Sequence, residues 1–133
     1  IEKWRRKENN HKKELANILS REPDEIIGDN AAVYKLNTPK SIISAAARRF
    51  AAKTEFNYVI VINAGLLEDR TQIYVRRKNG LDNSDTAVFK KIALDLGGQA
   101  GGKDEVAGII IDDSQVDEFL DSVRNNIGTG KKR

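Results

Sequence analysis

The chain has 133 residues, 39% apolar and 32% charged, with a net charge of +3, one histidine and no cysteine. That length suits one domain burying roughly two-thirds of its unfolded surface, with the composition of a soluble globular protein. Zero cysteines exclude disulfides and thiolate metal sites. One histidine excludes a histidine-rich zinc centre and a Cys/His nucleophilic pair, and no apolar run approaches the roughly 18 residues a membrane span needs.

Residues 2–19 read as a helix with Trp4, His11, Leu15 and Ile18 along a thin apolar stripe. The first fourteen residues hold six Lys or Arg against three Glu. A stripe that thin suits a linker helix beside a missing neighbour as well as it suits a surface helix. Glu22-Pro23-Asp24 breaks the pattern, and short strands follow near 25–27 and 32–36, separated by the turn signal Gly28-Asp29-Asn30. Thr38-Pro39 reads as a helix start, with Thr38 as cap and Pro39 in the first turn. That helix should run to Lys53, with Ile42, Ile43, Ala46, Ala47, Phe50 and Ala51 on one face.

Tyr58 to Ile62 is a nearly continuous apolar run rich in β-branched residues, as expected of a strand covered on both faces. Gln72 to Arg77 alternate, with Ile73 and Val75 on one face and Tyr74 and Arg76 on the other. Asn79-Gly80 turns the chain, and Asn83 or Ser84 caps a helix from 85 to 96. A strand over 107–111 comes next, then a last helix capped by Asp113 or Ser114 with Val116, Phe119, Leu120 and Val123 inward. The sum is an α/β domain, a mixed sheet of about five strands packed by helices, with an N-terminal linker helix.

Five of the ten glycines fall between Gly97 and Gly108. Gly97 to Lys103 has P-loop spacing, but position 104 is Asp where magnesium needs Ser or Thr. A P-loop or a dinucleotide fingerprint also follows a strand and opens a helix; here a helix precedes the glycines and a strand follows. Gly97, just past Leu96, suits a helix C-cap, which leaves Gly101, Gly102 and Gly108 unaccounted for. Carboxylates form no recognisable metal constellation. Asp112-Asp113 reads as a strand end followed by a helix cap, and Asp82-Asn83-Ser84-Asp85 lacks the glycine and distal glutamate of a calcium loop. The absence of methionine, with Ile1 first, raises the expectation of a piece of a longer protein. With no apolar segment behind the N-terminal charges, a cytoplasmic location is expected.

The run Ala100-Gly101-Gly102-Lys103-Asp104-Glu105-Val106-Ala107-Gly108 resembles, without a gap, the GGGHxxAAG signature of the DHH-associated C-terminal domain of RecJ-like nucleases and other DHH-family phosphoesterases. Ile73-Tyr74-Val75-Arg76-Arg77 resembles that family's strand ending in Arg-Ser. The resemblance spans about residues 55 to 125, and the first 54 are compatible with the linker helix and first strand-helix unit of archaeal RecJ-like proteins. It implies a linker helix over 1–20, a substrate-binding domain over 21–127 and a disordered basic tail over 128–133.

It further implies that Gly101, Gly102 and Lys103, with Arg76 and Arg77, hold the phosphates of single-stranded DNA or RNA, or of a nucleotide. The catalytic centre would lie in a separate manganese-dependent DHH domain, with no cofactor in this chain. Backbone amides of a glycine-rich turn make an anion nest, and a lysine adds a mobile charge. Two departures stand out: Lys103 replaces the family histidine with a point charge, and Ala100 replaces the first glycine. They leave room for a scaffold that binds a replisome protein instead. Paired glycines followed by a basic residue also resemble the end of alanyl-tRNA synthetases, although the Ala-Gln that follows there is replaced by Val106-Ala107.

Overall fold

The computed structural model describes residues 13, 16–17, 20–28, 30–38, 42–78, 86–102 and 106–128. The helix expected over 2–19 lies outside them except at three positions, as do Asn83, Ser84 and the basic end Lys131-Lys132-Arg133. Six strands form one mixed sheet: β1 (Glu25–Ile27), β2 (Ala31–Leu36), β3 (Tyr58–Leu67), β4 (Arg70–Arg77), β5 (Gln99–Gly101) and β6 (Val106–Asp112). Their order is β1-β2-β3-β4-β6-β5. Three helices pack on it, α1 (Ile43–Lys53), α2 (Ala87–Asp95) and α3 (Val116–Val123). Only β2 and β3 are parallel, and α1 is the crossover that joins them.

The sheet has one strand more than the expected five, because Gln99–Gly101 pairs antiparallel with β6. β3 is buried on both faces, as its apolar run predicts: Val59, Ile60, Val61 and Ile62 are all nearly inaccessible to water. Val59 and Val61 face α1 in a cluster with Tyr34, Ala46, Ala47 and Phe50, where the Tyr34 and Phe50 rings stack at 3.8 Å. The alanines of α1 let its backbone come close to the strands. Ile60 and Ile62 face the other way, into the larger cluster with Phe89 of α2 and Phe119, Leu120 and Val123 of α3.

Several expected caps are replaced by other bonds. Helix α1 begins at Ile43, so Thr38 does not cap it. Instead the Thr38 backbone is bracketed by the side chain of Asn63, whose Oδ1 accepts from Thr38 N at 2.9 Å while its Nδ2 donates to Thr38 O at 3.0 Å. Asp113 does not cap α3 with its side chain either. A single 3₁₀ turn (Asp113–Gln115) comes first, and Asp113 Oδ1 accepts from the buried Thr71 hydroxyl at 2.6 Å.

The far end of the chain is tied to the first strand by a charge pair. Arg124 donates from Nε to Glu25 Oε2 at 2.6 Å and from Nη2 to Oε1 at 2.9 Å, and it also reaches Asp121. The hydrogen bond from Arg124 holds the Glu25 carboxyl below its ordinary range, against an opposing effect of partial burial. Because the folded-state value is the lower one, the pair's contribution is complete above the unfolded value of about 4.3 and is lost as pH falls through the folded one. Thermal unfolding should therefore show a small deficit for Glu25→Gln at pH 7 that closes in acid. A deficit that persists unchanged at pH 2.5 would mean the carboxylate charge contributes nothing.

Candidate functional site

The two faces of the sheet are covered unequally. Helices α2 and α3 pack on one face, while on the other α1 lies over β2, β3 and part of β4. Among the described residues, no helix packs on the second face at β5 and β6. The side chains that point there follow from register, because directly opposed residues share a face. They are Gln72, Tyr74 and Arg76 of β4, Val106, Gly108 and Ile110 of β6, and Gln99 and Gly101 of β5.

The glycine cluster divides by what each position needs. Gly97 (φ +82°) ends α2: its N–H reaches Leu94 O, the Gly98 N–H reaches Ala93 O, and Gln115 Nε2 donates to Leu96 O at 2.6 Å. Gly98 lies where the helix end meets β6, and a Cβ there would fall 2.5 Å from Ile111 Cγ2 and 2.7 Å from Ile110 O. Gly102 (φ +114°) leaves β5, where a Cβ would meet Val106 O at 2.7 Å, and its carbonyl accepts from Lys90 Nζ at 2.9 Å. Residues 97–101, read from the sequence as part of a glycine-rich turn, are thus a helix stop followed by a short strand.

Gly101 and Gly108 differ from these three. They oppose each other across β5 and β6, both are exposed, and a Cβ on either would meet nothing within 4 Å. Neither has positive φ. Nothing in the described structure requires glycine at these two positions, so the bare backbone they present is open to an approach from outside.

Beside this pair runs a shallow trough of about 280 Å³, lined by Gln72, Tyr74, Gln99, Gly101, Gly108 and Ile110 among others. Two buried side-chain atoms lack a hydrogen-bond partner among the described residues, Gln72 Oε1 and Arg76 Nε, and both belong to the β4 side chains on this face. Buried polar atoms in native structures are nearly always paired, which makes two orphans on one open face a feature that needs a cause. The Arg76 guanidinium has no ion-pair partner among the described residues.

Of the residues singled out from sequence, the sheet brings Arg76 and Gly101 to one face, with Gly102 at the strand end. Arg77, paired with Tyr58, points from the opposite face, and Lys103 lies outside the described residues. On a regular sheet lattice, two strand spacings and a two-residue step put Arg76 about 12 Å from Gly101 at Cα. Arg76 and the glycine pair thus lie on one face but too far apart for one small group to meet both.

Tyr74, Gln72 and Gln99 were not among the sequence candidates. The alternation of β4 already put Tyr74 on the face of Arg76, and that was the available signal. Among the described residues no three His, Cys, Asp or Glu side chains are grouped to hold a metal ion, so the donor set for manganese is not met by them. Among the described residues, too, no helix is long and apolar enough to cross a membrane.

Three solved structures share the fold. The C-Ala domain of Aquifex aeolicus alanyl-tRNA synthetase superposes with a TM-score of 0.60 at 15% identity, over 76% of this chain and 94% of that one. A pGpG-specific phosphodiesterase, PggH from Vibrio cholerae, also gives 0.60 at 15% identity, over 92% of this chain and 41% of its own. RecJ from Thermus thermophilus, solved with Mg2+, gives 0.60 at 22% identity, over 90% of this chain and 18% of its own. The chain thus spans less than half of the phosphodiesterase and less than a fifth of RecJ. No curated protein matches the sequence. A family model, the DHHA1 domain, matches residues 28–129, most of the chain and all of the sheet but β1, and the chain therefore belongs to the DHHA1 domain family.

Proposed function

We propose that this domain binds the phosphate backbone of a single-stranded nucleic acid for a RecJ-like DHH-family hydrolase, and performs no chemistry alone. The observation that carries the reading is Arg76, a half-buried guanidinium without an ion-pair partner among the described residues, on the sheet face that α1 leaves open. A buried charge normally has a partner, and a phosphate supplies two or three acceptors to an arginine fork. Gly102 would add a backbone amide, and Lys103, the next residue in the sequence, a second cation. Hydrolysis and its manganese would reside in a DHH domain elsewhere in the parent protein.

Fluorescence anisotropy with a labelled single strand tests this. Affinity should fall steeply as salt rises. Arg76→Gln should weaken binding about tenfold, as loss of one charged hydrogen-bond donor does. It should also reduce the slope of log K against log[salt] by about 0.7, the value for one phosphate contact on a single strand. Unchanged affinity and slope would remove Arg76 from the interface. Retention of a replisome protein at salt that abolishes strand binding would favour the scaffold reading, and selective capture of tRNA the synthetase-like one.

A further inference from the structure

Resting on that reading, we propose that Arg48 of α1 is a further phosphate contact of the domain, and that its neighbour Arg49 takes no part. Arg48 would hold a different phosphate of the strand from the one at Arg76.

The charge pattern of α1 is the first argument. Its 11 residues include Arg48, Arg49 and Lys53 and no acidic side chain. The positions three and four residues away from Arg48 are Ser44, Ala45, Ala51 and Ala52, so no carboxylate lies within helical reach of its guanidinium. Arg48 is exposed and has no ion-pair partner among the described residues. Surface helices commonly set opposite charges at those spacings, and α1 leaves its cations to an anion from outside.

The packing of α1 decides between its two arginines. Ile43, Ala46, Ala47, Phe50 and Ala51 form the buried face. Phe50 leans toward β2, where its ring stacks on Tyr34. Ala47 and Ala51 fill the other side of that face, toward β4, whose Tyr74 packs against the same cluster. A right-handed β2-α1-β3 crossover gives the same assignment. At about 100° per residue, Arg48 stands roughly 60° outward of Ala51, on the flank toward β4, and Arg49 roughly 100° outward of Phe50, on the flank toward β2. Adjacent in sequence, the two cations are thus directed to opposite borders of the helix, and Arg48 has the border next to the open half of the sheet. Its level also fits. Arg48 is the middle residue of α1, which runs back from the end of β2 to the start of β3. That places it over the middle of the β3–β4 ladder, where Val61 opposes Tyr74 and Val59 opposes Arg76. Because Arg48 stands in the helix layer and Arg76 in the sheet beneath, the two forks serve separate phosphates of a strand that passes between them.

Anisotropy titrations of a labelled single-stranded oligodeoxynucleotide over a range of salt test the assignment. Arg48→Gln should weaken binding about fivefold, less than Arg76→Gln because an exposed charge is more fully screened. It should lower the slope of log K against log[salt] by about 0.7, and the double variant with Arg76→Gln should lower it by about 1.4, the values for one and two phosphates on a single strand. Arg48→Lys, which keeps the charge, should keep the slope. Arg49→Gln removes the same charge one residue away and should leave affinity and slope as in the wild type. Both arginines are exposed, so all these melting curves should coincide with that of the wild type, and circular dichroism separates lost contact from lost folding. Wild-type binding by Arg48→Gln, with Arg76→Gln impaired, overturns the role of Arg48 and leaves the phosphate reading standing. Equal losses in Arg48→Gln and Arg49→Gln also overturn it, because they would reveal a diffuse field in place of a contact. A wild type that binds no strand overturns both.

Discussion

Asn63→Ala should lower the melting temperature by on the order of 10 °C. Asn63 is fully buried, and its amide closes both hydrogen bonds to the backbone of Thr38, itself 4% exposed. Alanine removes these two bonds to a buried N–H and a buried C=O, at about 1–3 kcal/mol each. For a domain of this size a loss of about 3 kcal/mol corresponds to roughly that shift. The bracket joins the end of β2 to β3 just where the chain departs toward α1. The seat of that helix, and so the division of the sheet face into covered and open halves, depends on it. Thermal unfolding followed by circular dichroism measures the effect. A shift under about 3 °C would show that the backbone of Thr38 finds other partners, and that Asn63 does not hold the crossover in place.

The strands and their apolar faces were legible in the sequence because periodicity reports burial directly. Tyr58 to Ile62 read as doubly covered and is, and the inward residues of α2 and α3, Phe89, Phe119, Leu120 and Val123, are those the helical spacing selects. The caps were not legible. Thr38 and Asp113 are both good capping residues, but each is engaged by a partner distant in sequence, Asn63 and Thr71, and propensity carries no information about such contacts. The missed strand β5 has the same cause. Gln99-Ala100-Gly101 has low strand propensity, and it is a strand only because β6 offers it a pairing edge.

The site was legible in part. The resemblance drew attention to the segment that borders the open face, and alternation placed Arg76 on the face of Tyr74. What it could not show was that α1 stops short of β6, because the width a helix covers on a sheet is a matter of packing. Arg77 illustrates the limit: adjacent in sequence to Arg76 and equally basic, it points from the opposite face because a strand reverses direction at every residue. A cluster of cations in sequence is thus divided by the pleat into two surfaces, of which one adjoins the glycine pair.

The glycines provide the sharpest separation of folding from binding. Gly98→Ala should destabilise the domain by about 1–3 kcal/mol, since its Cβ would stand 2.5 Å from the buried Ile111 side chain, 2.7 Å from Ile110 O and 3.2 Å from Ala93 O. Two of those atoms are backbone on different elements, so relief requires α2 and β6 to move apart. Gly101→Ala and Gly108→Ala meet nothing within 4 Å, and alanine is less costly than glycine in an extended strand, so their melting temperatures should equal or slightly exceed that of the wild type. Yet each methyl would stand on the bare backbone of the open sheet face over which the proposed strand would run, so single-strand affinity should fall in these two variants while stability does not. Melting curves and anisotropy titrations on the three proteins check both halves. If Gly101→Ala and Gly108→Ala unfold as early as Gly98→Ala, the bare patch is a requirement of the fold. If they remain stable and bind as the wild type does, the ligand approaches the domain elsewhere than over the paired glycines.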